Sequence, residues 1–274
     1  MRERIAKAKG FIFDMDGTLA LGDKASGGHV ALPGAVELLA RIKKRGIPVR
    51  VLTNGTAKAP AAYAASLRAA GFDLADEEMM TPSTSAAVWL TTRGIKRVRV
   101  LGDPGTAAPL AAAGIEVIPP SAPAEGVEAV FTGWFREFCF RDLEAAVRDI
   151  WAGARAITAS HVPFFATNEG RGLGSSFPMN VVLRAWTGKM PKILGKPSRE
   201  CFFTALKLMG LPRSAAADVV VVGDDPKLEM RMGNKVGAIS VGVATGLTSL
   251  GEMRALGPAE RPLLALASVA ELLG

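Results

Sequence analysis

The chain has 274 residues, 49% of them hydrophobic and 22% charged, so it can fill one large or two medium domains, and its 30 Gly and 17 Pro imply turns rather than disorder. Its net charge of +7 is scattered: Lys43-Lys44-Arg45 closes a predicted helix, and Arg93, Lys96, Arg97 and Arg99 flank a predicted strand. With a single Tyr for base stacking, these charges read as solvated faces and nucleic acid is not an expected partner.

In chain order, the basic N-terminus is followed only by the short apolar run Phe11-Ile12-Phe13, too short for a signal-peptide core. No run approaches the ~18 apolar residues of a membrane span, so no membrane partner is expected and the cytoplasm is the expected location. Cys139 and Cys201 cannot make a disulfide framework and are expected in the core. Residues 11–15 predict a strand. Ala35, Leu38, Leu39 and Ile42 fall at i, i+3, i+4 and i+7 and predict a helix from Pro33 to Arg45, stopped by Gly46. The run 47–54 predicts a strand, and a helix ends at Ala70. A second series begins near residues 81–90, with strands expected at 97–101, 127–133 and 155–159 and an amphipathic helix carrying Leu143, Ala146, Val147 and Ile150. From about 191 the first pattern returns: a helix around Cys201–Met209, a strand at 218–224, a helix to Val236, a strand at 238–243 and a last helix at 263–273. Short, continuously apolar strands alternating with helices predict an α/β protein with a doubly wound, Rossmann-like parallel sheet. Residues 1–80 and 191–274 form the expected core, and 81–190 an inserted α/β domain.

In such sheets functional groups collect beyond the carboxyl ends of the strands. Asp14 and Asp16 stand at one such end, Thr53-Asn54-Gly55 at a second and Gly223-Asp224-Asp225 at a third. Lys196, between Gly195 and Pro197, is expected to send its ammonium into the same crevice. Crowded carboxylates call for a divalent cation, and oxygen donors with only two His in the chain favour Mg²⁺ over zinc. The Thr53 hydroxyl and the Lys196 charge suit phosphoryl oxygens. The Asp14 carboxylate can then attack phosphorus, and Asp16 can give a proton to the leaving oxygen and later take one from water.

These segments resemble the four motifs of the haloacid dehalogenase-like (HAD) superfamily: "DMDGTL" (14–19), "LTNG" (52–55), "GKPS" (195–198) and "GDDPKLE" (223–229). The segments "GWFREFCFRDLEAAV", "ARAITAS…FFATNEG" and "FPMNVVLRAWTGKMP" are similar to the cap of its NagD-like, 4-nitrophenylphosphatase-like branch. The resemblance implies Asp14 as nucleophile and Asp16 as acid–base, with Thr53, Asn54 and Lys196 on the phosphate. It also implies Asp14, Asp224 and the Asp16 carbonyl on Mg²⁺, with Asp225 and Glu229 behind them. The chain departs from the pattern at Glu229, where a second Asp is usual, at Gly55 and Glu169, after Pro178, and in the longer stretch 24–31. Cap residues Asn168, Glu169, Arg171 and Asn180 are expected at the substrate.

The implied activity is a phosphatase acting on a small phosphate ester, such as a sugar phosphate or nucleoside monophosphate, with p-nitrophenyl phosphate as a generic substrate. The cap is expected to roof the site, and caps of this type often mediate dimers, so a homodimer through the cap is a further expectation. Two alternatives stay open, a phosphotransferase or phosphomutase of the same fold and a non-enzymatic, basic nucleic-acid-binding module.

Overall fold

The computed structural model describes residues 1–23, 28–167, 170–246 and 248–274. They divide into two compact units, one of Met1–Thr53, Ala61–Met80 and Lys196–Gly274, the other of Asn54–Pro60 and Thr81–Gly195. The second unit thus extends to 195, because the short strand Lys192–Ile193 adds to its sheet.

The first unit is built on a parallel sheet. Among the described residues its strands lie in the order Leu264–Leu266, Ile239–Val243, Val219–Gly223, Gly10–Asp14, Val49–Leu52 and Met79–Met80. The strands Gly10–Asp14, Val219–Gly223 and Ile239–Val243 are buried along their whole length, which explains their unbroken apolar sequence. Side chains alternate between the two faces. Phe11, Phe13, Val220 and Val222 join Leu38, Leu39 and Ile42 of the helix Ala35–Lys44. Ile12, Val219 and Val221 join Phe202, Ala205 and Leu206 of the helix Arg199–Leu208 on the opposite face. Covering both faces leaves the strand ends as the open part of the sheet. After Gly10–Asp14 the chain adds strands on one side, and from Val219 on the other, so the switch point lies between these two strands.

The expected last helix at 263–273 is instead the edge strand Leu264–Leu266 followed by a 3₁₀ turn, Val269–Leu272. A short Leu/Ala run has no period that separates helix from strand, and pairing with Val241–Val243 decides it. The expected helix to Val236 is a π-helical turn, Pro226–Met230, continued by Arg231–Asn234.

The second unit carries a parallel sheet in the order Lys192–Ile193, Arg155–Thr158, Ala129–Thr132, Arg97–Leu101 and Glu116–Ile118. One face is covered by Trp89 and Leu90 of Pro82–Thr91 and Leu110 of Pro104–Ala112. Leu143, Val147 and Ile150 of Phe140–Trp151, with Met179 and Leu183 of Ser176–Thr187, cover the other. Arg99, expected on a solvated face, is instead buried: its Nε donates to Asp149 Oδ2 at 2.6 Å and its guanidinium to the carbonyls of Pro119, Pro120 and Ala122. A buried carboxylate and three carbonyls replace the water that the charge gives up. Cys201 is buried as expected, whereas Cys139 is exposed because it precedes the helix Phe140–Trp151 rather than lying on its packed face. No helix among the described residues is long and apolar enough to cross a membrane.

Candidate active site

Strand register assembles the site of the first unit. Asp14 pairs across from Leu52 and Phe13 from Val222, so Thr53 and Asp224 leave their strands beside Asp14. Asp14 is buried, and both of its oxygens are held. The Lys196 ammonium donates to Oδ1 and the Thr18 hydroxyl to Oδ2, the latter at 3.2 Å. Lys196 also reaches Glu229 Oε1 at 2.6 Å, so one buried ammonium bridges two buried carboxylates. Thr53 is buried, and its backbone amide donates to the Met80 carbonyl at 3.1 Å.

The electrostatics follow from this packing. Burial alone would lower the Lys196 pKa, but the Asp14 and Glu229 carboxylates outweigh it and hold the ammonium charged. Asp14 is raised above the ordinary carboxylate range, by burial and by the charge of Asp16, against the pull of Lys196. Asp224 is pushed up to about 8, by burial first and then by the charges of Asp14 and Glu229. Glu229 is pushed up to about 7, again by burial, with Asp14 adding to it and Lys196 opposing. The site therefore holds more negative charge than its one lysine compensates.

That surplus is what a divalent cation relieves. The donors fit a hard ion: Asp14 and Asp224 offer carboxylate oxygens, and the chain beside them is pared to glycine. A Cβ on Gly17, whose φ is +81°, would come within 2.6 Å of Asp224 Oδ2, and one on Gly246 within 1.7 Å. Among the described residues no three His, Cys, Asp or Glu side chains group to hold a metal by themselves. Two carboxylates completed by main-chain oxygen and retained water match Mg²⁺, which dehydrates reluctantly, better than an ion needing a full protein cage.

The remaining expected residues are distributed as follows. Asp16 follows the first strand with its side chain 54% exposed. Asp225 caps the turn Pro226–Met230, its Oδ1 accepting from the Lys227 amide at 2.8 Å, while its own amide donates to Glu229 Oε2 at 3.1 Å. Asn54 belongs to the second unit, where its side chain packs against Gly195. Asn180, expected at a substrate-facing loop, is a fully buried helix residue. Its amide donates to Thr158 Oγ1 and the Ser160 carbonyl, and its Oδ1 accepts from Thr132, so it ties strands together inside the second unit. Arg171 lies on the strand Gly170–Leu173, which pairs with Phe164–Thr167. Asn168 and Glu169, and residues 24–27 of the longer stretch, lie outside the described residues. Sequence reasoning assigned no role to Thr18, although a hydroxyl four residues after Asp14 in "DMDGT" was the available signal.

Comparison with known proteins agrees with this geometry. A haloacid dehalogenase-like hydrolase model matches residues 11–116, and an HAD-hydrolase-like model matches residues 193–272. The chain is 27% identical to an acid sugar phosphatase of Staphylococcus haemolyticus over 90% of its own length and 89% of the relative's. Its fold is similar to that of a glycerol phosphate phosphatase from Mycobacterium tuberculosis crystallised with magnesium, with a TM-score of 0.84 and 26% identity, covering 98% of this chain and 77% of that one. NagD from E. coli K-12 is similar at a TM-score of 0.83 and 25% identity, covering 97% and 98%. With the strand that ends on Asp14 and the turn that carries Lys196 inside the matched segments, the chain belongs to the haloacid dehalogenase-like hydrolases, in the branch of NagD and the p-nitrophenyl phosphatases.

Proposed function

We propose that this hydrolase is a Mg²⁺-dependent phosphomonoesterase of small phosphorylated metabolites that works through an aspartyl-phosphate on Asp14. The observation that carries the reading is the buried Asp14–Lys196–Glu229 array beside a third carboxylate, Asp224, whose pKa burial and its neighbours push up. In this reading Lys196 and the Thr53 hydroxyl bind the phosphoryl oxygens, with Asn54 as a further donor. Lys196 draws the Asp14 carboxylate toward its ionised form against the effect of burial, and Thr18 fixes its second oxygen, so the carboxylate is oriented before substrate arrives. Asp14 forms a bond to phosphorus as the ester P–O bond breaks, and a protonated Asp16 gives its proton to the departing oxygen. Asp16 then takes a proton from the water that breaks the acyl phosphate. Bound Mg²⁺ would be held by Asp14, Asp224 and the Asp16 carbonyl and would supply charge neutralisation for the phosphoryl group. Asp225 and Glu229 support these ligands from behind.

Two of the proteins named above are an acid sugar phosphatase and a glycerol phosphate phosphatase, which supports a small ester as the substrate class. The second unit serves as the cap, with Arg171 a contact to substrate. Its exposed Phe140, Trp151, Val181 and Trp186, on neighbouring helices, support pairing of two copies through the cap. Phosphate release from a panel of phosphorylated metabolites, with Mg²⁺ and with chelator, tests the reading. Metal-dependent release from one or more small monoesters is expected, and release indifferent to chelation would refute the metal's part. Transfer of labelled phosphate to a second metabolite, or to another position of the substrate, rather than to water would identify a phosphotransferase or phosphomutase instead.

A further inference from the structure

His29 stands in the stretch after the first motif that is longer than usual for the family, and nothing in the reaction so far uses it. It sits on the strand Gly28–Ala31, which pairs antiparallel with Ala20–Asp23 so that His29 lies across from Gly22. An isolated bridge between Asp16 and Ala20 closes the base of this hairpin. The chain that leaves Asp16 therefore doubles back and returns a histidine to it. His29 Nε2 lies 3.5 Å from Asp16 Oδ1, and Nδ1 lies 2.7 Å from Ser66 Oγ of the helix Pro60–Ala69. The imidazole is buried, its side chain 8% exposed, while the carboxylate it faces is 54% exposed.

We infer that His29, itself anchored by Ser66, is a positioning residue for the acid–base carboxylate of Asp16. A half-exposed carboxylate has several rotamers open to it, and general-acid transfer needs one of them. In this proposal the ring proton sits on Nε2, facing Asp16 Oδ1, and Nδ1 accepts from the Ser66 hydroxyl. A donor on Oδ1 leaves Oδ2 as the oxygen that carries the proton and delivers it to the leaving group. The 3.5 Å separation is long for a hydrogen bond, as catalytic contacts often are before substrate binds. Burial of the imidazole, against exposure of the carboxylate, marks the histidine as the fixed partner. The hairpin thereby acquires a task, to bring a donor to the acid without placing that donor on the substrate.

The inference rests on the proposed role of Asp16, and leaving-group dependence separates the two. An alkyl phosphate needs a proton on its departing oxygen, whereas p-nitrophenolate leaves without one. In His29→Ala, the single-turnover rate of leaving-group release, which precedes the hydrolysis step common to all substrates, is expected to fall about 10- to 100-fold for an alkyl phosphate and less than about 3-fold for p-nitrophenyl phosphate, with KM little changed. His29→Gln, whose amide can still donate, should recover part of the loss, and Ser66→Ala should show a smaller loss with the same substrate bias. Melting temperatures of all three variants, measured alongside, establish that the fold is kept. Equal losses of this release rate for both substrates, or a change confined to KM, would overturn the inference while leaving the phosphatase reading intact. A wild-type protein that releases phosphate from neither ester would overturn both.

Discussion

At the residue scale the site depends on one ammonium shared by two buried carboxylates. Removing that ammonium leaves both carboxylates buried without compensation, a loss of about 3–5 kcal/mol for a buried pair. Lys196→Ala should therefore lower stability by about that much in urea titration, and Glu229→Gln by less, since Lys196 keeps Asp14 and the amide still accepts from it. Asp14→Asn should keep the fold yet lose on the order of 10⁴-fold or more in kcat, because the amide is no nucleophile. The sequence makes these residues legible. Two Asp at the end of an apolar strand, and a lysine held between Gly195 and Pro197, are local signals of a strand-end site. Arg99 and Asn180 were not legible, because each is polar by type and buried through partners 50 or 48 positions away, Asp149 and Thr132. Nothing in the neighbouring sequence announces such a partner.

At the element scale, the turn after the first strand is tightly constrained backbone. Gly17 has φ +81° and leaves no room for a Cβ beside Asp224. Gly17→Ala should cost about 1–2 kcal/mol from the left-handed backbone alone. It should also displace Asp224, raising the Mg²⁺ concentration needed for half-maximal activity; an unchanged metal titration would show that Gly17 does not shape the ligand. Strands with an unbroken apolar run were legible because burial on both faces demands that composition. The segment at 264–272 was not, because its Leu and Ala residues fit either structure until pairing with Ile239–Val243 selects the strand. The hairpin pairing Ala20–Asp23 with Gly28–Ala31 was missed as well, as its strands are only four residues long and each carries a glycine.

At the scale of the whole molecule, excess negative charge links stability, pH and metal. Asp224 has its pKa raised from 3.8 to about 8 on folding, so the folded protein holds this proton more tightly than the unfolded chain. The stabilisation from that proton is complete below the unfolded value and is lost as pH rises through about 8. In chelator, the melting temperature of the wild type relative to Asp224→Asn should thus fall between pH 5 and pH 8. Mg²⁺ binds the ionised form and should raise the wild-type melting temperature more at pH 8 than at pH 6. A metal response independent of pH would sever that link. If two copies pair through the exposed aromatic face of the second unit, light scattering should give twice the mass of one 28.6 kDa chain, and Trp186→Glu should halve it. A monomeric wild type would remove that part of the proposal.

The reaction itself turns on whether Asp14 carries the phosphoryl group. Acid quenching during turnover of a radiolabelled phosphate monoester, followed by peptide mapping, measures this directly. A hydroxylamine-sensitive label is expected on the peptide containing Asp14, and it should be missing from Asp14→Asn and from chelator-treated protein. An enzyme that turns over with no label on the protein, or with the label on another residue, would contradict the account.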